Sequence, residues 1–175
     1  MLITSNGFGL ILQIRQDELA QTLKPPQTDH LFGRDITQEW VTHLEPRPIS
    51  REQLVRAHLA RHVESILDYS LPKVFGNRSA QVAASLPPIF SAMLNAYWAA
   101  LTNRVGAVAP CSGFHHAGYG FGGGFCTFEG LMEAAQDLLT KNAARKIGIL
   151  DLDMHWGNST QAIIDKLGLA KQVAH

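Results

Sequence analysis

Cysteine is scarce: only Cys111 and Cys126 occur in 175 residues, and they form no C-x-x-C pair. A disulfide framework is therefore excluded, a reducing cytoplasm is the expected location, and each thiol reads as a small half-buried apolar residue. An excess of charge of either sign is also missing, since 15 Lys and Arg balance 15 Asp and Glu. No basic run exceeds two residues, so the electrostatic footprint of a nucleic-acid binder is absent. No apolar run approaches the roughly 18–20 residues of a membrane span. The early segment GFGLILQI lacks the basic flank and small-residue cleavage site of a signal peptide. Internal repeats and low-complexity stretches are absent too. What remains, 46% hydrophobic and 17% charged residues, fits one globular domain with a sizeable core.

Residues 1–50 read as an N-terminal arm with little periodic pattern, in which KPPQ and EPRP mark turns or extended segments. From Ser50 the pattern becomes regular. Ser50 with Gln53 forms a capping box, and Leu54, Leu59, Val63, Ile66 and Leu67 predict a helix over about 51–69. His58 and His62 on it read as packing or surface residues. Pro87 and Pro88 are expected to interrupt the next helix, after which Ile89, Met93, Leu94, Tyr97 and Leu101 give a second apolar stripe. VGAVA from Val105 predicts a short buried strand. Phe128, Leu131, Met132, Ala135, Leu138 and Leu139 then trace a helix, and KIGILDLD returns as a strand. Strand, helix, strand implies a crossover between parallel strands, so the loops after both strands open on one sheet edge. That places GFHHAG beside DLDMHWGNS, in residues 51–175 read as part of an α/β domain.

In ILDLDMHWGNST the strand ends with Asp151, Asp153 and His155 at alternate positions, which point to one side. Carboxylate oxygen and imidazole nitrogen are good zinc donors, and ligands of open α/β sheets bind outside the carboxyl ends of the strands. The bland alternative is that Asp153 caps a turn and His155 lies in a polar loop. The other loop, PCSGFHHAGYGFGGGFCTF, carries the tandem His115 and His116, whose imidazoles titrate near neutrality and suit general acid–base work. Gly118, Gly120, Gly122, Gly123 and Gly124 would permit tight turns and close approach to a ligand, or simply a flexible surface loop. No GK[ST] and no clean G-x-G-x-x-G turn into the helix follows, which argues against nucleotide binding.

GFHHAGYGFGGGFCTF followed by ILDLDMHWGNST resembles the zinc-dependent histone deacetylase family, with its acetoin-utilisation and acetylpolyamine amidohydrolase relatives. RPISREQLVRAHLARHVESIL is a weaker echo, and the likeness spans about residues 46–165, strongly over 105–160. The resemblance implies a three-layer open parallel sheet flanked by helices, as in the arginase/deacetylase fold, here incomplete. It makes Asp153 and His155 zinc ligands, with another divalent metal as an alternative. His116 becomes the general base, His115 its electrostatic partner held by Asp151, and Asn158 the residue that orients the other histidine. Gly124 and Phe125 would line the tunnel for an acyl-lysine-like chain. The backbone carbonyls of Asp151, Asp153 and His155 would contribute to a K+ site. Substrates implied are acetylated lysine, a polyamine or another small amide, with no direct nucleic-acid or membrane partner.

The sequence also departs from the family. Its third metal donor and its oxyanion-stabilising tyrosine belong to a later segment with no counterpart here, and Tyr119 is a weak local substitute for the tyrosine. Trp156 replaces a second histidine after the ligand. Glu129 stands where the family commonly has Asn, near a helix start that favours a carboxylate. A second class is therefore kept open: a non-catalytic metal-binding or dimerising domain, homo-oligomeric if a second copy supplies the missing donor. An arginase-type manganese hydrolase would carry D-A-H-x-D, which is not present.

Overall fold

The structure, a computed structural model, describes residues 2–5, 8–13, 44, 49–70, 79–104, 106–109, 111 and 113–175, the first two stretches by backbone alone. The turns expected at KPPQ and EPRP lie outside the described residues. Among the described residues one sheet carries the fold. Its strands are β1 (Leu2–Ser5), β2 (Phe8–Gln13), β3 (Lys146–Asp151) and β4 (Val173–Ala174), side by side in that order. β1 is antiparallel to β2, whereas β2, β3 and β4 are mutually parallel neighbours, with Gln13 opposite Asp151 and Gly148 opposite Ala174. The carboxyl ends of the parallel strands thus share one edge, and Asp151 sits on it.

The helices are α1 (Arg51–Leu54), α2 (Ala60–Leu67), α3 (Ala80–Asn103), α4 (Gly130–Thr140) and α5 (Asn158–Lys166). Among them α3 packs on α4 and β1, and α4 also touches β3, α5 and α1. The core fills these contacts with Phe90, Tyr97, Phe114, Phe128, Leu131, Met132, Leu138, Ile147 and Ile163, all fully or almost fully buried. Asp137 on α4 anchors the helix layer. It accepts from Arg56, from Gln53 Nε2 at 3.3 Å, from Trp98 Nε1 at 2.9 Å and from Lys141 Nζ at 2.8 Å. No described helix is long and apolar enough to cross a membrane.

The Ser50 capping box forms as expected: Ser50 Oγ accepts from Gln53 N–H, and Gln53 Oε1 accepts from Ser50 N–H. Three other expectations are corrected. The helix predicted over 51–69 is two helices, broken where Leu59 turns extended (φ −64°, ψ 124°) and gives its N–H to Tyr119 O at 2.8 Å. Pro87 and Pro88 do not interrupt α3, which runs through both. Each proline costs a helix about 3 kcal/mol. Burial of Leu86, Phe90, Met93, Leu94 and Tyr97 on the same helix offsets that, at roughly 1.5–3 kcal/mol per large apolar side chain. Finally, residues 106–109 are not a strand, and Val108 is 68% exposed. The parallel partners of β3 are β4 and β2, the latter from the stretch where the sequence pattern is hardest to read.

Candidate active site

Beyond Asp151 the chain leaves the sheet in two side-chain-closed turns. Asp153 N–H donates to Asp151 Oδ1 at 3.0 Å, and His155 N–H donates to Asp153 Oδ1 at 2.8 Å. Such local carboxylate-to-backbone bonds are the usual chemistry of Asx turns. They keep the alternation of the strand as far as Asp153, whereas the His155 side chain is half exposed. The Asp151 and Asp153 side chains are turned in, 6% and 9% exposed, while Leu152, Met154 and Trp156 point out at 57%, 74% and 79%. The Trp156 departure therefore falls on the solvent side of the loop.

The tandem histidines arrive from the other loop. Buried His115 joins its Nδ1 to Asp151 Oδ2. Its ring stands edge-on to that of His116 at 4.2 Å between centroids, and His116 lies 5.3 Å from the ring of His155. Ser159 Oγ donates to His116 O at 3.3 Å, tying this loop to the start of α5. Gly124 has φ +48°, and a Cβ there would collide with the His116 ring, so only glycine lets the loop close over that imidazole. Phe125 beside it also has positive φ, +70°, and is 37% exposed.

Electrostatics divide the two histidines. The hydrogen bond that His115 donates to Asp151 raises the pKa of His115 above its usual range, against the opposing effect of burial. Burial, then the neighbouring His115 and His155, lowers that of His116, which favours a neutral ring with a lone pair. Asp151 is held below the ordinary carboxylate range: burial opposes this, but the His115 bond and the Asp153 N–H outweigh it. A paired His115–Asp151 couple thus stands behind a neutral His116. Burial pushes the Cys126 and Cys111 thiols up to about 12, so neither is a ready nucleophile.

Asp153 Oδ1 lies 2.9 Å from His155 Nδ1. One carboxylate oxygen and one imidazole nitrogen so close together fit neighbouring positions on a single divalent cation. Among the described residues no group of three or more His, Cys, Asp or Glu forms a complete cation site. The donor set is thus a pair.

Of the residues singled out in the sequence, His115, His116, Asp151, Asp153, His155 and Gly124 gather here, with Phe125 at the rim. Asn158 stays apart. It is exposed at the first turn of α5, its own N–H donates to Trp156 O at 2.7 Å, and its neighbour Ser159 makes the bond to His116. Tyr119 packs its ring under Lys166 Nζ at 5.3 Å. Glu129 is the N-cap of α4, accepting from Met132 N–H at 2.6 Å, fully buried, with burial raising its pKa to about 7. His175 was not legible as a site residue. A Cβ on Gly157 would lie 2.7 Å from His175 Cε1 and 3.1 Å from Asp151 Oδ2, so both groups crowd the same glycine. The signal for it is positional: it follows β4, which ends on the same edge as β3.

A parallel-stranded α/β fold whose strand-end loops set a buried His–Asp couple and a tandem histidine against an Asp–His donor pair defines a protein of the arginase/deacetylase type. The crystal structure of the HDA15 HD domain superimposes with a TM-score of 0.65 at 21% identity, covering 89% of this chain and 49% of that one. The histone deacetylase domain model matches residues 15–169, and the chain belongs to that family. Acetylpolyamine amidohydrolase of Mycoplana ramosa is 50% identical over 54 residues, 31% of this chain and 16% of the relative. Histone deacetylase HDA1 of Saccharomyces cerevisiae is 29% identical over 148 residues, 75% of this chain and 21% of the relative. The chain therefore spans about half of the solved domain and a smaller share of these curated relatives.

Proposed function

We propose that this chain carries the histidine and donor half of a zinc-dependent amidohydrolase that removes an acetyl or other acyl group from a lysine or polyamine chain in the cytoplasm. The observation that supports it most is the coupling of His115 to Asp151 beside a neutral His116, all within reach of the Asp153–His155 pair. Asp153 and His155 would hold the cation. A zinc ion held by these two residues would supply Lewis acidity toward an amide carbonyl and water. His116, kept neutral by burial, would take a proton on its imidazole nitrogen and return it to the leaving amine. His115, its Nδ1 committed to Asp151, would present Nε2 as a fixed donor and stabilise developing negative charge. Gly124 and Phe125 would guide the acyl chain.

The same pair of donors without a third among the described residues favours a second reading, a metal-binding or dimerising domain that is not itself a catalyst. Hydrolysis of an acetyl-lysine peptide and of an acetylated polyamine separates the two. The first reading expects zinc-dependent turnover, lowered at least 100-fold by His116→Ala. Turnover absent from the zinc-loaded chain, or untouched by the substitution, overturns it.

A further inference from the structure

His58 and His62 take no part in the chemistry above, yet both are buried, 1% and 4% exposed. Their polar contacts fall on the two ends of one segment. His58 Nδ1 lies 3.1 Å from Gly118 O, and Glu129 N–H donates to His58 Nε2 at 2.8 Å. His62 Nε2 lies 3.2 Å from Thr127 O. Both imidazoles pack on the Phe128 ring, at 5.2 and 5.4 Å between centroids. Residues 118–129, which begin just after the tandem histidines and contain Gly124, are therefore held at both ends from the α1–α2 region.

The partners of His58 settle its protonation. A carbonyl can only accept and an amide N–H can only donate, so Nδ1 carries the proton and Nε2 is bare. The backbone geometry is consistent with this role. The helix breaks where Leu59 N–H goes to Tyr119 O, one residue beyond the carbonyl that His58 holds. At the far end the same Glu129 continues the chain of contacts, since its Oε1 accepts from Thr160 Oγ1 at 2.9 Å. Thr160 stands on α5, just beyond the Asp153–His155 loop.

We infer that His58 is a positioning residue of this site, a neutral Nδ1-protonated imidazole that fixes the Gly118 carbonyl and the Glu129 amide and, through Glu129 and Thr160, keeps the two site loops in register. It deepens the reading above and rests on it for the chemistry that the register serves.

The test uses the full chain with 15N-labelled histidine at neutral pH, with two-bond 1H–15N correlation reading the tautomer of each ring. His58, assigned by its loss in His58→Asn, is expected protonated on Nδ1. His58→Phe keeps ring volume and removes both hydrogen bonds, whereas His58→Asn keeps a donor near the Nδ1 position. The His115 Nδ1 proton signal is expected to weaken or shift in the Phe variant and to be partly restored in the Asn variant. Zinc affinity should follow it, with a loss of about tenfold for Phe. An Nε2-protonated His58 overturns the inference, as does a folded Phe variant with the His115 signal and zinc affinity unchanged. Should the Phe variant fail to fold, the tautomer in the parent chain and the Asn variant decide alone. A parent chain that binds no zinc sinks the hydrolase reading, while the tautomer and the His115 signal still report on positioning.

Discussion

Glu133 is the residue that most plainly opposes stability. It lies on α4, 1% exposed, and neither of its carboxylate oxygens has a hydrogen-bond partner among the described residues. Burial raises its pKa to about 9, with Arg56 pulling the other way. Since the folded chain holds this proton more tightly than the unfolded one, the contribution is complete below about pH 4.5 and is lost as pH rises toward 9. Burial of His58 lowers its pKa to about 4, which acts with the opposite slope between about pH 4 and 6.5, so Glu133 stands out on the alkaline side. Glu133→Met is expected to raise stability at pH 8.5 by about 1–3 kcal/mol, the usual cost of an unsatisfied buried polar group. Urea denaturation at pH 6.5 and 8.5 checks this, and an equal pH slope in both proteins would refute it. Nothing in the sequence reveals Glu133 in this role, because residue identity does not say whether a partner lies near. The shared inward face of Asp151 and Asp153 was legible because period-two spacing carries direction as well as composition.

At the scale of elements, local pattern gave existence more reliably than continuity. The Leu54 to Leu67 stripe is real, but a tertiary hydrogen bond from Leu59 to the Gly-rich loop cuts the helix in two. Pro87 and Pro88 carry a strong local penalty that an extended buried face overrides. The expected strand at Val105 illustrates a different failure. A short apolar run does not distinguish a strand from a packed loop, and 106–109 form no strand. Even so, the loop that follows meets the DLDMHWGNS loop as expected, because His115 reaches Asp151 regardless of which strand flanks β3. The Gly-rich loop, expected to allow tight turns and close approach to a ligand, approaches the His116 ring at Gly124. Gly124→Ala is expected to cost about 1–2 kcal/mol for a left-handed residue with a Cβ, and to displace His116. Chemical denaturation measures the first effect and the His116 imidazole resonances the second. Unmoved resonances would mean that the close contact does not exist in solution.

For the molecule as a whole, a sheet edge supplies the frame and two loops supply the candidate site residues. β3 delivers Asp151, the turns after it deliver Asp153 and His155, and α4 with the α1–α2 region holds the histidine loop against them. The family likeness could be read from the motif pair, but the anchoring could not, since it depends on contacts between segments far apart in sequence. In the proposed function Asp153 and His155 act as one donor pair. Equilibrium titration of the chain with Zn2+ alone, repeated for Asp153→Ala and His155→Ala, tests it most directly. Saturable binding of one zinc per site, weakened at least tenfold by either substitution, is the expected result. Binding that is absent, or indifferent to both residues, would contradict it.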